Sequence, residues 1–243
     1  MQTILITGAS SGVGKALASY LSKEYKVIAL ARRVEKMEEA FQDNKNIFIY
    51  QADISDLNSL ETTLDEIIKR HGPILHVINN AGIMIAEQLE ALSLDRLQNA
   101  ININAMGPLF IIKKLLPEMK KNHFGRIINI TSGAPLNCFP GYGAYNASKA
   151  LLNALTVTLA KEVDEHNIKV NLMSPGPVKT EMAPNGPMDP SVCFPTVKFL
   201  LNLPAEGETG KFFWLGYEVP LFPDLEGVQW LEGIGNNKLR EIF

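Results

Sequence analysis

Tyr145 and Lys149 stand four residues apart in the run Tyr142-Gly143-Ala144-Tyr145-Asn146-Ala147-Ser148-Lys149, and Ser132 precedes the tyrosine by thirteen residues. On a helix, a spacing of four puts two side chains on one face, one turn from each other. A free tyrosine ionises near ~10, too high for a base at neutral pH, but an ammonium held one turn away favours the phenolate and lowers that value. A phenol tuned in this way passes a proton in either direction. A serine hydroxyl beside it can donate to a substrate oxygen that gains negative charge in the transition state. The Tyr-x-x-x-Lys pair alone is also an ordinary solvated pair on a helix surface, so its meaning depends on the elements that position it.

Residues 127–130 are short, apolar and rich in isoleucine, which predicts a buried strand that delivers Ser132 at its carboxyl end. From Tyr142 onward the pattern turns helical, with Leu151, Leu152, Leu155 and Leu159 at three- and four-residue spacings. At the start of the chain, residues 3–6 predict a strand, followed by Thr7-Gly8-Ala9-Ser10-Ser11-Gly12-Val13-Gly14-Lys15 and a helical pattern in Leu17, Ala18 and Leu21. Amides at a helix N-terminus point at an anion, and glycines let the backbone come close to it, so this turn is a candidate dinucleotide phosphate site. Its glycine spacings of four and two make it a variant of Gly-x-Gly-x-x-Gly. Gly8, Ser10, Ser11, Gly12, Val13 and Gly14 are the residues expected to cradle the cofactor.

Residues 26–31 predict the second strand, which exits into Arg32 and Arg33. An acidic residue near this place takes ribose hydroxyls in NAD-binding folds, whereas arginine suits a 2′-phosphate. With no carboxylate and two guanidinium forks, NADP(H) is favoured over NAD(H), unless both arginines merely begin a solvated helix. A third strand over 46–50 leads to Asp53 and Ile54; the carboxylate either accepts from an adenine amino group or serves a plain turn. Asp56 caps a helix through Leu60, Leu64, Ile67 and Ile68 that ends at Gly72-Pro73. Residues 74–78 predict the fourth strand, and Asn79-Asn80-Ala81-Gly82 leaves its carboxyl end, where ligands of open α/β sheets bind.

Ser93 begins the next helix, which runs through Leu97, Ile101 and Asn104 towards Leu115, with interruptions expected at Gly107-Pro108 and Pro117. Asn104 sits among apolar residues, where an unpaired amide is costly; it either bonds a neighbouring carbonyl or holds a water. Residues 168–173 predict a sixth strand, closing on Ser174-Pro175-Gly176-Pro177-Val178-Lys179-Thr180-Glu181-Met182. Strand alternates with helix from end to end. The expected fold class is therefore α/β: a single-domain Rossmann fold, a doubly wound parallel sheet of about seven strands with helices on both faces.

Composition is compatible with that fold. The chain has 243 residues, 46% hydrophobic and 20% charged, enough for one large core and an ordinary polar surface. Cys138 and Cys193 make no disulfide framework and lack metal-ligand spacing, which suggests a reducing compartment and no metal site. A net charge of -3 offers no basic field for nucleic acid. No apolar run approaches the ~18 residues of a membrane span. The strand pattern begins at Gln2 and leaves no room for a signal peptide, so a cytoplasmic protein is expected.

Taken together, the motifs resemble those of the short-chain dehydrogenase/reductase family in its single-domain branch. They are Thr-Gly-x-x-x-Gly-x-Gly at Thr7 to Gly14, Asn-Asn-Ala-Gly at Asn79 to Gly82, Asn-x-x-Gly at Asn104, then Ser132, Tyr145 and Lys149, and Pro175-Gly176 with Thr180. The resemblance covers about three quarters of the chain, from Thr3 to Met182. It implies a catalytic tetrad of Asn104, Ser132, Tyr145 and Lys149. It also implies hydride transfer from NADPH to a carbonyl carbon while Tyr145 protonates the oxygen, with alcohol oxidation as the reverse. Ser132 would polarise that oxygen, Lys149 would bond the nicotinamide ribose, and Asn104 would support a water chain. Asn80, Ala81, Gly82, Pro175, Gly176, Val178 and Thr180 would line the cofactor, the last two at its carboxamide. The family's habit implies a homodimer or homotetramer paired through the helices of Asn104 and Tyr145.

Two departures stand out. Many NADP(H)-using relatives carry a basic residue before the second glycine of the turn, where this chain has Ser11. The tail lacks the usual Asp-Gly-Gly ending, so residues 212–215 are left as the seventh strand and 216–243, with Trp230, as an atypical extension. Prolines at 184, 187, 190, 195 and 204 exclude a long helix, and 182–205 resembles the family's substrate lid. Met84, Pro135, Leu136, Cys138, Phe139, Tyr142, Met182 and Phe194 are candidate pocket residues, mostly apolar, which suggests an apolar ketone or secondary alcohol. Two other functions use the same residues: a sensor that binds NADP(H) without turnover, and an enzyme of non-redox net chemistry such as an epimerase or dehydratase.

Overall fold

Within β1 (Thr3–Thr7) and β2 (Lys26–Ala31) successive side chains enter two different cores: Ile4, Ile6, Val27 and Ala29 on one face, Leu5, Ile28 and Leu30 on the other. With both faces buried, such strands read as unbroken apolar runs instead of alternating ones. The structure, a computed structural model, describes residues 1–222; Trp230 and most of the expected C-terminal extension lie outside them.

The remaining strands are β3 (Ile47–Gln51), β4 (His76–Asn79), β5 (Gly125–Ile130), β6 (Ile168–Ser174), β7 (Phe212–Trp214) and β8 (Tyr217–Val219). They form one sheet in the order β3-β2-β1-β4-β5-β6-β7-β8. The first seven strands in sequence are parallel, as the alternation of strand and helix predicts, and β8 is antiparallel to β7. This last strand was not expected: it is three residues long with Tyr217 and Glu218 exposed, so it leaves no apolar pattern. The chain reverses at Leu215 and Gly216, both at positive φ (47° and 85°), so residue 215 belongs to the turn and not to β7.

Helices cover both faces. On one, α1 (Gly12–Leu21), α2 (Val34–Phe41) and α8 (Phe194–Leu201) contribute Leu17, Leu21, Met37, Phe41, Val197 and Leu200 to the core. On the other, α3 (Leu57–His71), α5 (Gly107–Lys121) and α7 (Gly143–Glu162) contribute Leu60, Leu64, Ile67, Ile111, Leu115 and Leu159. Between α4 (Leu94–Ile101) and α5 lies a π-helical turn, Asn102–Met106. The interruption expected near Gly107-Pro108 takes the form of that π-helical turn, after which Pro108 stands in the first turn of α5. Pro117 does not end that helix, which continues to Lys121. No helix among the described residues is long and apolar enough to cross a membrane.

Because β2 and β3 extend the sheet to one side of β1 and β4 begins the other, the loops leaving β1 and β4 diverge at the switch in strand order. A crevice at the carboxyl ends of the strands is the consequence.

Candidate active site

The crevice is held in shape by its own polar groups. Thr7, the last residue of β1, accepts through Oγ1 from the backbone N–H groups of Asn80 and Ala81, both at 3.0 Å. Asn80 returns a bond from Nδ2 to the carbonyl of Thr7 at 2.9 Å. The glycine turn is thereby stitched to the loop after β4. A Cβ at Gly8 would fall 2.8 Å from the Ala81 backbone, and one at Gly14 only 2.4 Å from Asn80 Nδ2, so the fit admits no side chain at either place. Ser11, at the N-cap of α1, turns its hydroxyl to Arg33. The first-turn amides of Gly12 and Val13 remain for an anion, and both residues line the crevice.

That crevice encloses about 900 Å³. Arg32, Arg33, Asp53 and Ile54 line it beyond β2 and β3; Asn80, Ala81 and Gly82 line it beyond β4; Ser132, Tyr145 and Lys149 line it beyond β5; and Pro175, Gly176, Val178 and Thr180 line it beyond β6. Of the residues expected to form the tetrad or to hold the cofactor, Gly14 and Asn104 alone lie behind its wall. Met84, Leu136, Phe139, Tyr142 and Met182 also line it, whereas Pro135 and Cys138 do not, and Phe194 stacks on Tyr20 at 4.2 Å instead. In the segment 182–205, Met182 and Ala183 face the crevice while Cys193, Val197 and Leu200 are core residues.

Tyr145 and Lys149 sit one turn apart on α7. Lys149 is 4% exposed and donates from Nζ to the carbonyl of Ile130, at the end of β5, at 2.7 Å. Burial pushes its ammonium down to about 8. The phenol of Tyr145 lies above its ordinary value, again through burial, against which a hydrogen bond with Ser132 works. Burial, and not the ammonium one turn on, governs the phenol's acidity, contrary to the expectation from spacing. Ser132 Oγ also accepts from the N–H of Ala134 at 3.0 Å, in α6 (Ala134–Asn137), which fixes the hydroxyl at the strand end.

Asn104, fully buried in the π-helical turn, uses its whole amide group. Its Oδ1 accepts from the N–H of Ile83 at 2.8 Å, and its Nδ2 donates to the Ile83 carbonyl and to Ser148 Oγ, each at 2.9 Å. It thus ties the loop after β4 to the helix of Tyr145. Asp53 accepts from the N–H and hydroxyl of Ser55 at 2.9 and 2.6 Å, a turn bond, and lies 3.6 Å from Arg32. Beneath the floor runs a polar chain that sequence reasoning missed: Asn79 donates to Asn129, which donates to Thr156, both at 2.8 Å, and Thr131 donates to Asn153 at 2.6 Å. Asn129 was the visible cue, an amide inside an isoleucine-rich strand.

The residues fit a dinucleotide on chemical grounds: a glycine turn opening onto helix amides, guanidinium groups at one end, a hydroxyl pair and an amine at the other. A family model described as short chain dehydrogenase matches residues 2–189. The chain belongs to the short-chain dehydrogenase family. Among curated family members, a dehydrogenase/reductase SDR family protein 7-like from Anopheles gambiae is 34% identical over 194 residues, 76% of this chain and 61% of its own. An uncharacterized oxidoreductase of Staphylococcus epidermidis is 32% identical, covering 73% of this chain and 78% of its own. The chain thus spans under two thirds of the Anopheles relative and more of the staphylococcal one. Two solved short-chain dehydrogenase folds superpose closely. A 4-hydroxyisoleucine dehydrogenase complexed with NADH and succinate is 26% identical with a TM-score of 0.81, covering 88% of this chain and 97% of that one. ElxO with NADP bound is 28% identical with a TM-score of 0.80 at the same coverage.

Proposed function

We propose that this short-chain dehydrogenase interconverts a carbonyl and a secondary alcohol with NADP(H), on a small apolar substrate. The observation that carries the reading is that Ser132, the Tyr145 phenol and the buried amine of Lys149, one turn from the phenol on α7, line one crevice that also holds two arginines. The solved neighbours, one with NADH and one with NADP, support a nicotinamide cofactor here. The choice of NADP(H) is supported by the exit of β2, which offers Arg32 and Arg33 and no carboxylate.

When bound, the nicotinamide supplies or accepts the hydride. In reduction, Tyr145 gives its proton to the carbonyl oxygen as the carbon gains hydrogen; in oxidation it takes that proton back. Ser132 aligns and polarises the same oxygen, at a point where it becomes an alkoxide. Lys149 spends one N–H on Ile130 and keeps two, enough to bond a ribose hydroxyl of the cofactor. Asn104 holds α7 against the loop after β4 through an amide that is fully engaged there. Met84, Leu136, Phe139 and Met182 give the substrate end its apolar surface. Pairing of two or four copies through α4, α5 and α7, in a reducing cytoplasm, completes the proposal.

A panel of ketones and secondary alcohols with both nicotinamide cofactors tests it, read at the nicotinamide absorbance band. Removing a positioned acid costs about 10²–10⁴ in rate, so Tyr145→Phe should lose most turnover on any active substrate and still bind NADPH. Undiminished turnover in that variant would overturn the mechanism.

A further inference from the structure

Glu181 follows Thr180 in the segment after β6, yet its carboxylate lies among cations from the other side of the crevice. Arg33 Nη1 donates to its Oε2 at 2.7 Å, and Lys36 Nζ donates to its Oε1 at 2.6 Å. The same guanidinium gives Nη2 to Ser11 Oγ at 2.8 Å and to Ser10 Oγ at 3.2 Å. Each carboxylate oxygen therefore has its own cation. The two serine hydroxyls, used as acceptors, keep their protons for a further acceptor. A guanidinium, an ammonium and two hydroxyls at the rim of a dinucleotide crevice make an oxyanion site. The anion that fills it here belongs to the protein.

We infer that Glu181 is an internal stand-in for the 2′-phosphate of the cofactor, so that the phosphate and the segment after β6 compete for Arg33 and Lys36. The inference rests on the NADP(H) reading above. Geometry favours a displaceable contact over a fixed strut. The side chains of Arg33, Lys36 and Glu181 are 43%, 47% and 53% exposed, so water screens both ion pairs and each holds weakly. A phosphate dianion can engage the guanidinium in a fork and carries more charge than the carboxylate. Both anions cannot sit on the same pair of cations without repelling each other. Lys36 and Arg33 also hold the Glu181 carboxyl below its ordinary value, so it is an anion at neutral pH. Thr180 and Met182, on either side, line the crevice, so the exchange of one anion for the other bears on its wall.

Titration calorimetry on the whole chain with 2′,5′-ADP and 5′-ADP separates the ideas. Glu181→Gln removes the competing charge and should tighten 2′,5′-ADP by about threefold to tenfold, the range open to a partly screened like charge, with 5′-ADP unaffected. That gain should shrink at high salt. Unchanged or weaker 2′,5′-ADP binding in Glu181→Gln overturns the inference, since a strut that merely positions Arg33 would lose affinity. Arg33→Ala tests the underlying reading: it should abolish the preference for 2′,5′-ADP over 5′-ADP. No preference for 2′,5′-ADP in the wild-type protein refutes the NADP(H) reading, and a preference that survives in Arg33→Ala refutes Arg33 as its carrier and the stand-in with it, whereas a preference that collapses there, with no gain in Glu181→Gln, refutes the stand-in alone.

Discussion

Tyr145 and Lys149 share a helix face, yet burial drives them apart: the phenol is raised above its ordinary value and the amine lowered to about 8. On the proposed mechanism the reductive direction needs a protonated phenol and a charged amine. The first condition holds throughout the neutral range, so the amine sets the limit. The value of kcat/KM for NADPH, which reports groups of the free enzyme, should be flat below about 8 and fall as pH rises through it. Lys149→Arg, with a guanidinium that does not titrate there, should be slower and lack that limb. A wild-type profile without an inflection between about 7 and 10 would show that Lys149 does not set it. Stability has its own sign. The folded protein binds fewer protons than the unfolded chain between about 8 and the ordinary lysine value of ~10.4, so this site's penalty is full below that window and relieved as pH rises across it.

At the scale of elements, what matters is how the turn after β1 meets the loop after β4. Gly14→Ala would set a Cβ 2.4 Å from Asn80 Nδ2 and 2.5 Å from the Gly8 carbonyl, and neither the turn nor the amide can withdraw without breaking the bonds to Thr7. Overpacking of this kind costs about 1–3 kcal/mol, and the loss should fall on dinucleotide affinity as well as on the urea midpoint. A variant with unaltered NADPH affinity would show that the stitching does not shape the site. The same junction shows what a sequence discloses. The turn, the strand before it and the helix after it are legible because glycine spacing and apolar periodicity are local. The role of Asn104 was visible only as a pair of options, and the fold resolves it by bringing Ile83 and Ser148 to the amide. Lys149 was legible by type and spacing, but its bond to the Ile130 carbonyl, which takes it off the phenol, depends on how α7 lies across β5. Arg33 and Glu181, 148 residues apart, leave no pattern that joins them. The strand β8 escaped notice because three residues, two of them exposed, carry no period.

Across the whole molecule, the crevice is walled by segments following β1 through β6, while the two cores lie behind it on opposite faces of the sheet. A dinucleotide lying there would join loops from both halves of the sheet, and the unfolded chain offers it nothing comparable. Ligand binding must then stabilise the fold by mass action, about 2.7 kcal/mol at a hundredfold excess over Kd, which for a chain of this size is about 5–11 °C in Tm. On the proposed reading, the arginines at the exit of β2 make the shift selective. At equal concentrations NADPH should raise Tm more than NADH, and Arg33→Ala should remove the difference without abolishing the shift, because the amides of Gly12 and Val13 and the loop at Asn80 still hold the shared part of both cofactors. Equal shifts for the two cofactors in the wild-type protein would mean that Arg32 and Arg33 only open α2 to solvent.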